Sequence, residues 1–355
     1  MAGGTGGHVF PGIAVADYMR SLGWNVVWLG TPNGMEAALV PKYGYPMEYI
    51  VFSGIRRKKI MDWLRLPVKL LLAFWHSARI IMRIRPSIVL GMGGYPAFPG
   101  GLMASLLNKP LIIHEQNAIA GLTNKMLAKV ADKILLGFPG PFPESSNRVE
   151  VTGNPVRSEI LSLPIPEQRF LGRTGNIKIL VIGGSLGASA LNNIIPQALQ
   201  RIPEDERPIV THQAGKQHIE ALRENYREKG VQGKLIDFID DMAANYADCD
   251  LVICRAGALT ITELAAVGVA SILIPYPYAV DDHQTANANY LFKQGAAILL
   301  PQHELTPENL AKKIMELSRE QLLDMAKIAR SLARQDSVQR VAQVCIAMEK
   351  SVNET

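Results

Sequence analysis

Short apolar runs alternating with segments of helical period constrain the fold of this chain more than any other feature. In the first half the runs are Trp24–Gly30, Met47–Phe52, Ser87–Met92, Pro110–Glu115, Lys133–Phe138 and Glu150–Gly153. In the second half they are Lys178–Gly183, Pro208–Gln213, Lys234–Phe238, Leu251–Arg255, Ser271–Pro275 and Ala297–Leu300. Most are rich in Val, Ile and Leu and lack polar alternation. Strands of that kind are buried on both faces, as when helices cover a parallel sheet on two sides. The reading is α/β, and 355 residues with 48% hydrophobic content suffice for two cores. The break falls near residues 157–177, where Leu161-Ser-Leu-Pro-Ile-Pro166 and Gly172-Arg-Thr-Gly-Asn176 have linker composition. After residue 305 only helical patterns remain, the last from about Val338 to Ser351, able to pack on either domain.

Other classes are excluded by what the chain lacks. Cys249, Cys254 and Cys345 are odd in number and form no Cys-x-x-Cys, which suits a reducing cytosol. Charge interrupts every apolar stretch before the ~18 residues of a membrane span. Residues 1–15 lack the basic start and long apolar core of a signal peptide.

Two glycine loops open the halves: Gly3-Gly-Thr-Gly-Gly7 and Gly183-Gly-Ser-Leu-Gly187, each before a helical pattern. Free N–H groups at such turns favour phosphate, although a plain tight turn has the same composition. Paired domains of this kind would place a ligand cleft between them. No Gly-Lys-Ser/Thr follows the first loop, Val9 stands where a third dinucleotide-loop glycine belongs, and no acid ends the next strand. A dinucleotide role is therefore weak. The second loop follows a clear strand but the first does not, so the first strand is expected to be missing before Met1.

Several polar residues sit where α/β ligands bind. His8, at a helix start, is disfavoured as a cation by the helix dipole, which suits a general base; a plain polar helix terminus is the alternative. In Arg255-Ala-Gly-Ala-Leu-Thr-Ile-Thr-Glu263, Thr260 and Thr262 offer donors and Glu263 could accept two hydrogen bonds from a ribose diol or cap the helix. Asp281 to Asn287 forms a polar cluster at another strand end. Asp281, Asp282, Asp248 and Asp250 could suggest a metal, but the latter two read as a polar strand edge. His114-Glu-Gln-Asn117 ends a further strand. Arg157 could neutralise a diphosphate or form a surface ion pair.

The formal charge of +5 hides an asymmetry. Arg56 to Arg85 holds nine basic residues against one acid, Asp62, a net +8, leaving −3 elsewhere. Trp63, Leu66, Leu70, Leu71, Phe74 and Trp75 interleave with those charges, as on the surface of an anionic membrane. A solvated helix with a core-facing stripe is the alternative. No nucleic-acid motif accompanies the patch, so no nucleic acid is expected.

Gly3-Gly-Thr-Gly-Gly-His-Val-Phe-Pro-Gly12, Gly91-Met-Gly-Gly-Tyr95, His114-Glu-Gln-Asn117, Gly153-Asn-Pro-Val-Arg157, Gly183-Gly-Ser185, Phe238-Ile-Asp-Asp-Met242 and Arg255-Ala-Gly-Ala-Leu-Thr260 occur in that order. The set resembles the MurG family, bacterial N-acetylglucosaminyltransferases of peptidoglycan synthesis, over essentially the whole chain. The resemblance implies a GT-B fold, two Rossmann-like domains with an interdomain cleft. Residues 1–157 would form the acceptor and membrane-facing domain, joined by the C-terminal helix 337–355, and residues 158–336 the UDP-sugar donor domain. It implies inverting transfer of N-acetylglucosamine from UDP-N-acetylglucosamine to the C4 hydroxyl of the muramic sugar of undecaprenyl-linked lipid I, giving lipid II. No cofactor and no bound metal are implied. The implied partners are the two substrates, the anionic cytoplasmic leaflet of the inner membrane, on which the enzyme is peripheral, and other cell-wall synthesis proteins.

By the same resemblance the Ile239 backbone meets the uracil and Glu263 the ribose. Ser185, Arg157 and the turn Ala258, Leu259, Thr260, Ile261, Thr262 hold the UDP phosphates. Gln284 and Asn287 lie near the donor sugar, while Thr5, Gly6 and Gly7 serve the acceptor diphosphate or the edge of the donor site. Asn117 lies at the reacting sugars, and His8 is the base. Arg56, Arg57, Lys58, Lys59, Trp63, Leu71, Phe74 and Trp75 face the membrane. Leu186 and His283 depart from positions often Gln in the family. Two other readings stay open: a GT-B transferase acting on another membrane lipid such as diacylglycerol, and a non-catalytic, membrane-docking protein that binds nucleotide sugars.

Overall fold

The computed structural model describes residues 1–52, 66–184 and 188–353. The chain divides into two units, Met1–Arg157 with Arg334–Thr355, and Ser158–Ala333. Each is helix-covered parallel sheet, the α/β class expected from the apolar runs.

In the first unit α1 (Gly6–Ser21) leads to β1 (Trp28–Gly30), α2 (Met35–Leu39), β2 (Met47–Tyr49) and α3 (Leu66–Ile84). Then come β3 (Val89–Gly91), α4 (Ala97–Leu106), β4 (Leu111–Glu115), α5 (Leu122–Leu127), β5 (Lys133–Leu136) and β6 (Val149–Val151). β1 and β2 pair, and β3-β4-β5-β6 form a separate four-stranded sheet. Met1 lies beside β3: its N–H donates to Leu90 O at 2.8 Å, and its carbonyl accepts from Met92 N at 2.8 Å. Trp28 Nε1 donates to Ala2 O at 3.0 Å, tying β1 to the same stretch. The last helix of the chain packs on α1, with Val341, Ala342 and Cys345 buried against Val15, Met19, Ile112 and Leu135.

The second unit runs α6 (Ser158–Leu161), α7 (Pro166–Phe170), β7 (Lys178–Ile182), α8 (Ser189–Gln200), β8 (Ile209–Gln213), α9 (Ile219–Glu228) and β9 (Lys234–Ile236). It continues with α10 (Met242–Asp248), β10 (Leu251–Cys254), α11 (Ala258–Val267), β11 (Ala270–Leu273), α12 (His283–Phe292), β12 (Ala297–Leu299), α13 (Pro307–Met315) and α14 (Arg319–Ser331). The chain's final helix is then α15 (Ser337–Asn353). The strands are all parallel in the order β12-β11-β10-β7-β8-β9, a doubly wound sheet whose order reverses between β7 and β10. Every residue of β10 and β11 is buried, as unalternating apolar runs require.

The segment of linker composition is part of this unit's structure. Arg169 is buried and donates to Tyr246 O at 3.2 Å, Val267 O at 3.1 Å and Gly268 O, closing helix C-termini that would otherwise leave carbonyls unpaired. Arg173 and Arg319 converge on the buried Asp250, which also accepts from Lys178 N at 2.9 Å. Asp250 and Asp248, the latter paired with Lys178, thus serve the strand edge.

Two histidines are built in as neutral groups. His212 on β8 contacts Tyr226 OH and Asn192 Oδ1, both at 3.1 Å, and burial lowers its pKa to about 3. Burial lowers that of His114 on β4 to about 4, against the opposing pull of the Gly153 carbonyl at 3.0 Å. Above pH ~6.5 each is neutral whether folded or unfolded. As pH falls below that value the unfolded chain takes up protons that the folded chain refuses, so stability is lost until the folded pKa is reached. Denaturant titrations should therefore show each unit less stable at pH 5 than at pH 7, by roughly 2 kcal/mol per histidine. His212→Asn should flatten this slope for the second unit alone; an unchanged slope would contradict the assignment.

Candidate active site

In the first unit the glycine loop emerges beside β3. Thr5 is the N-cap of α1 and supplies no side-chain cap; its carbonyl accepts from His8 N at 3.1 Å, and no Thr5 side-chain acceptor meets the N–H groups of the first turn. The loop is held from behind by Glu36. Its carboxylate accepts from Gly4 N at 3.1 Å, Thr31 N at 3.0 Å and Thr31 Oγ1 at 2.8 Å, and Tyr95 OH lies 3.0 Å from the same Thr31 oxygen. The turn after β3 packs on this loop. A Cβ at Gly94 would stand 2.1 Å from Gly3 O, and one at Gly93 would stand 2.8 Å from His8 Nδ1. Both glycines have positive φ, +80° and +87°, so a side chain there is excluded twice over.

The end of β4 completes this half. Glu115 accepts from Asn117 N, Asn117 Nδ2, Gly121 N and Asn124 Nδ2 at 2.9–3.2 Å, fixing the turn that carries Asn117. Gln116 Nε2 donates to Met92 O at 2.8 Å, and its Oε1 lies 3.1 Å from His8 Nδ1. Arg157 stacks on the Phe10 ring of α1 at 5.1 Å, in the same unit as the first glycine loop.

In the second unit Ile182 and Cys254 are register partners, so the turns after β7 and β10 leave the sheet side by side at its switch point. Ser185 lies outside the described residues, as do Arg56, Arg57, Lys58, Lys59 and Trp63. After β10, Gly257 is the N-cap of α11 and offers no side chain to its first turn. Ala258, Leu259 and Thr260 thus present N–H groups at a helix start. Ile261 faces the core and gives its N–H to Gly257 O at 3.0 Å. Thr262 Oγ1 donates back to Ala258 O at 2.9 Å.

Glu263 is buried more than a turn past the helix start and does not cap it. Tyr246 OH donates to its Oε2 at 3.2 Å. Burial, with Glu263 beside it, pushes the Tyr246 pKa well up, so the hydroxyl stays a donor. Two residues one turn apart on α12 clamp a single residue of the β10–α11 turn. Gln284 Oε1 accepts from Ala256 N at 3.2 Å and Tyr276 N at 2.9 Å, and the buried Asn287 Nδ2 donates to Ala256 O at 3.2 Å. Ile239 is buried in the segment between β9 and α10. Arg255 is committed to the Ile274 and Pro275 carbonyls and Gln302 Oε1. Thr285 Oγ1 donates to Asp282 Oδ1 at 2.8 Å. Among the described residues no three His, Cys, Asp or Glu side chains form a metal-holding group.

Glu36, Tyr95, Gln116 and Tyr246 carry parts of this arrangement that sequence reasoning assigned to none of them. Gln116 stood inside a recognised motif; Glu36 sits in an unremarkable helical pentapeptide and gave no local signal.

The glycosyltransferase family 28 N-terminal domain model matches residues 1–136, and the family 28 C-terminal domain model matches residues 178–341. A protein of Nitrosomonas europaea is 62% identical over 354 residues, covering 100% of this chain and 99% of that one. One of Nitrosospira multiformis is 61% identical over 348 residues, 98% and 97% of the two chains. Both are named UDP-N-acetylglucosamine--N-acetylmuramyl-(pentapeptide) pyrophosphoryl-undecaprenol N-acetylglucosamine transferase. The crystal structure of Acinetobacter baumannii MurG superposes with a TM-score of 0.82 at 41% identity, covering 97% of each chain. A UDP- and glucose-bound Anabaena protein, HepE, at 15% identity and TM-score 0.63, shares the fold. These likenesses assign the GT-B fold of two Rossmann-like domains, and the chain belongs to the MurG family within glycosyltransferase family 28.

Proposed function

We propose that this chain transfers N-acetylglucosamine from UDP-N-acetylglucosamine to the C4 hydroxyl of the muramic sugar in undecaprenyl-linked lipid I, with inversion, forming lipid II. The observation that carries the reading is the 62% identity, over the whole chain, to a relative named for that transferase activity. The second unit takes the donor. Glu263, oriented by Tyr246, accepts from the ribose diol, and the N–H groups at the start of α11 meet the diphosphate. Gln284 and Asn287 hold that turn in place through Ala256, which supports their assignment to the donor side. Ser185, Arg157 and the Ile239 backbone complete the proposed donor contacts, and Thr5, Gly6 and Gly7 meet the acceptor diphosphate. Asn117 binds at the reacting sugars.

In the reaction the acceptor O4–C1 bond forms as the C1–O bond to UDP breaks. The O4 proton passes to the His8 imidazole, and the bonding electrons leave with UDP. Charge grows on the departing diphosphate, so oriented N–H groups and Arg157 stabilise the transition state more than the ground state.

A peripheral site on the anionic cytoplasmic leaflet of the inner membrane is supported by α3. Ala73, Ser77 and Ile81 form its buried face. Val68, Leu71, Leu72, Trp75 and Met82 form an exposed apolar stripe on the opposite face, with Leu71 67% and Trp75 55% exposed. Arg79 lies over the Trp75 ring at 5.7 Å, while Phe74 turns in against Phe98. Among the described residues no helix is long and apolar enough to cross a membrane.

With UDP-N-acetylglucosamine labelled in the sugar, label should pass to a lipid I analogue and not to diacylglycerol; the reverse would overturn the reading. His8→Gln should lower kcat by ~10²–10⁴ in a folded protein, and near-normal turnover would remove His8 as the base. Binding to anionic vesicles should weaken with salt, and by roughly 10-fold or more in Leu71→Asp/Trp75→Ala. Binding unchanged by both would refute membrane docking through α3.

A further inference from the structure

We infer that Gln116 is a positioning residue that sets the tautomer of His8, leaving Nε2 as the only ring nitrogen able to take a proton. This rests on the reading of His8 as the base.

Met92, Gln116 and His8 form a chain of groups that can act in one direction only. The Met92 carbonyl accepts and cannot donate, so the Gln116 atom facing it at 2.8 Å is the amide nitrogen. The other end of the amide, facing His8 Nδ1 at 3.1 Å, is therefore the carbonyl oxygen. That oxygen also only accepts, so His8 Nδ1 carries the hydrogen. A neutral imidazole has one N–H, and the lone pair then lies on Nε2.

The geometry leaves Gln116 little freedom. It is 2% exposed, and its own carbonyl accepts from Asn154 Nδ2 at 3.0 Å. Gly93 keeps the approach open, since a Cβ there would meet His8 Nδ1 at 2.8 Å and the Gln116 oxygen at 3.3 Å. The neighbouring carboxylate, Glu115, is engaged by the four donors of its own turn. A neutral amide at 116 thus orients the ring without adding a negative charge that would hold the proton on it.

The test uses the full chain labelled with ¹⁵N-histidine, the His8 signals being those lost in His8→Gln. At neutral pH the unsubstituted protein should show a protonated Nδ1 and an unprotonated Nε2. Gln116→Met should move the population toward the Nε2–H form and lower kcat by on the order of 10², with KM for UDP-N-acetylglucosamine within about twofold. An Nε2–H form in the unsubstituted protein overturns the assignment, whether or not Gln116→Met folds. Unchanged kcat in a folded Gln116→Met also overturns it. Normal turnover by His8→Gln with the Nδ1–H form intact would instead overturn His8 as the base, and with it the catalytic part of Gln116.

Discussion

A parallel sheet covered on both faces has room for exposed polar chemistry only where its strands end. In the second unit β10 and β11 are buried along their whole length, and the turns after β7 and β10 leave the sheet side by side at the switch point. In the first unit the same constraint gathers His8, Gly93, Gln116 and Asn117 around the ends of β3 and β4. His8, Asn117 and the N–H groups at the start of α11, all proposed to touch substrate, lie at or just beyond such ends, whereas Glu263 sits more than a turn into α11.

Holding those ends in one conformation falls to side chains that bond the backbone, Glu36, Glu115 and Asn287 among them buried. Glu36 collects the N–H of Gly4 and Thr31, Glu115 collects four donors, and Gln284 and Asn287 grip the two polar groups of Ala256. Removing one partner would leave the other buried and unsatisfied, at about 1–3 kcal/mol. Side chains that resemble ligand contacts in sequence can therefore act by shaping the backbone that makes the contact. Asn287 is the clearest instance, since its amide is buried against Ala256.

The strands were legible because burial on both faces writes itself as an apolar run. Their ends were less so: Gly183, Arg255 and Pro275 belong to apolar runs in sequence but to turns in the structure. The stretch near residues 157–177 reads as a linker in sequence because Pro164, Pro166, Gly172 and Gly175 punctuate it. What makes the segment structural is contact far along the chain, from Arg169 to Val267 and Arg173 to Asp250. For the same reason the links from Glu36 to Gly4 and Tyr246 to Glu263 left no local trace. In sequence the turn Ala258–Thr262 reads as one binding element, but the structure separates its first-turn N–H groups from Ile261, whose N–H is spent on Gly257.

The central claim is that Glu263 of the second unit holds the ribose of the nucleotide sugar while His8 of the first accepts the proton. Calorimetric titration of UDP-N-acetylglucosamine into folded Glu263→Gln and His8→Gln tests it directly. Loss of the ribose contact should weaken binding by on the order of 10² in Glu263→Gln, while His8→Gln should bind as the unsubstituted protein does. Full affinity in Glu263→Gln, or its loss in His8→Gln, would contradict that claim.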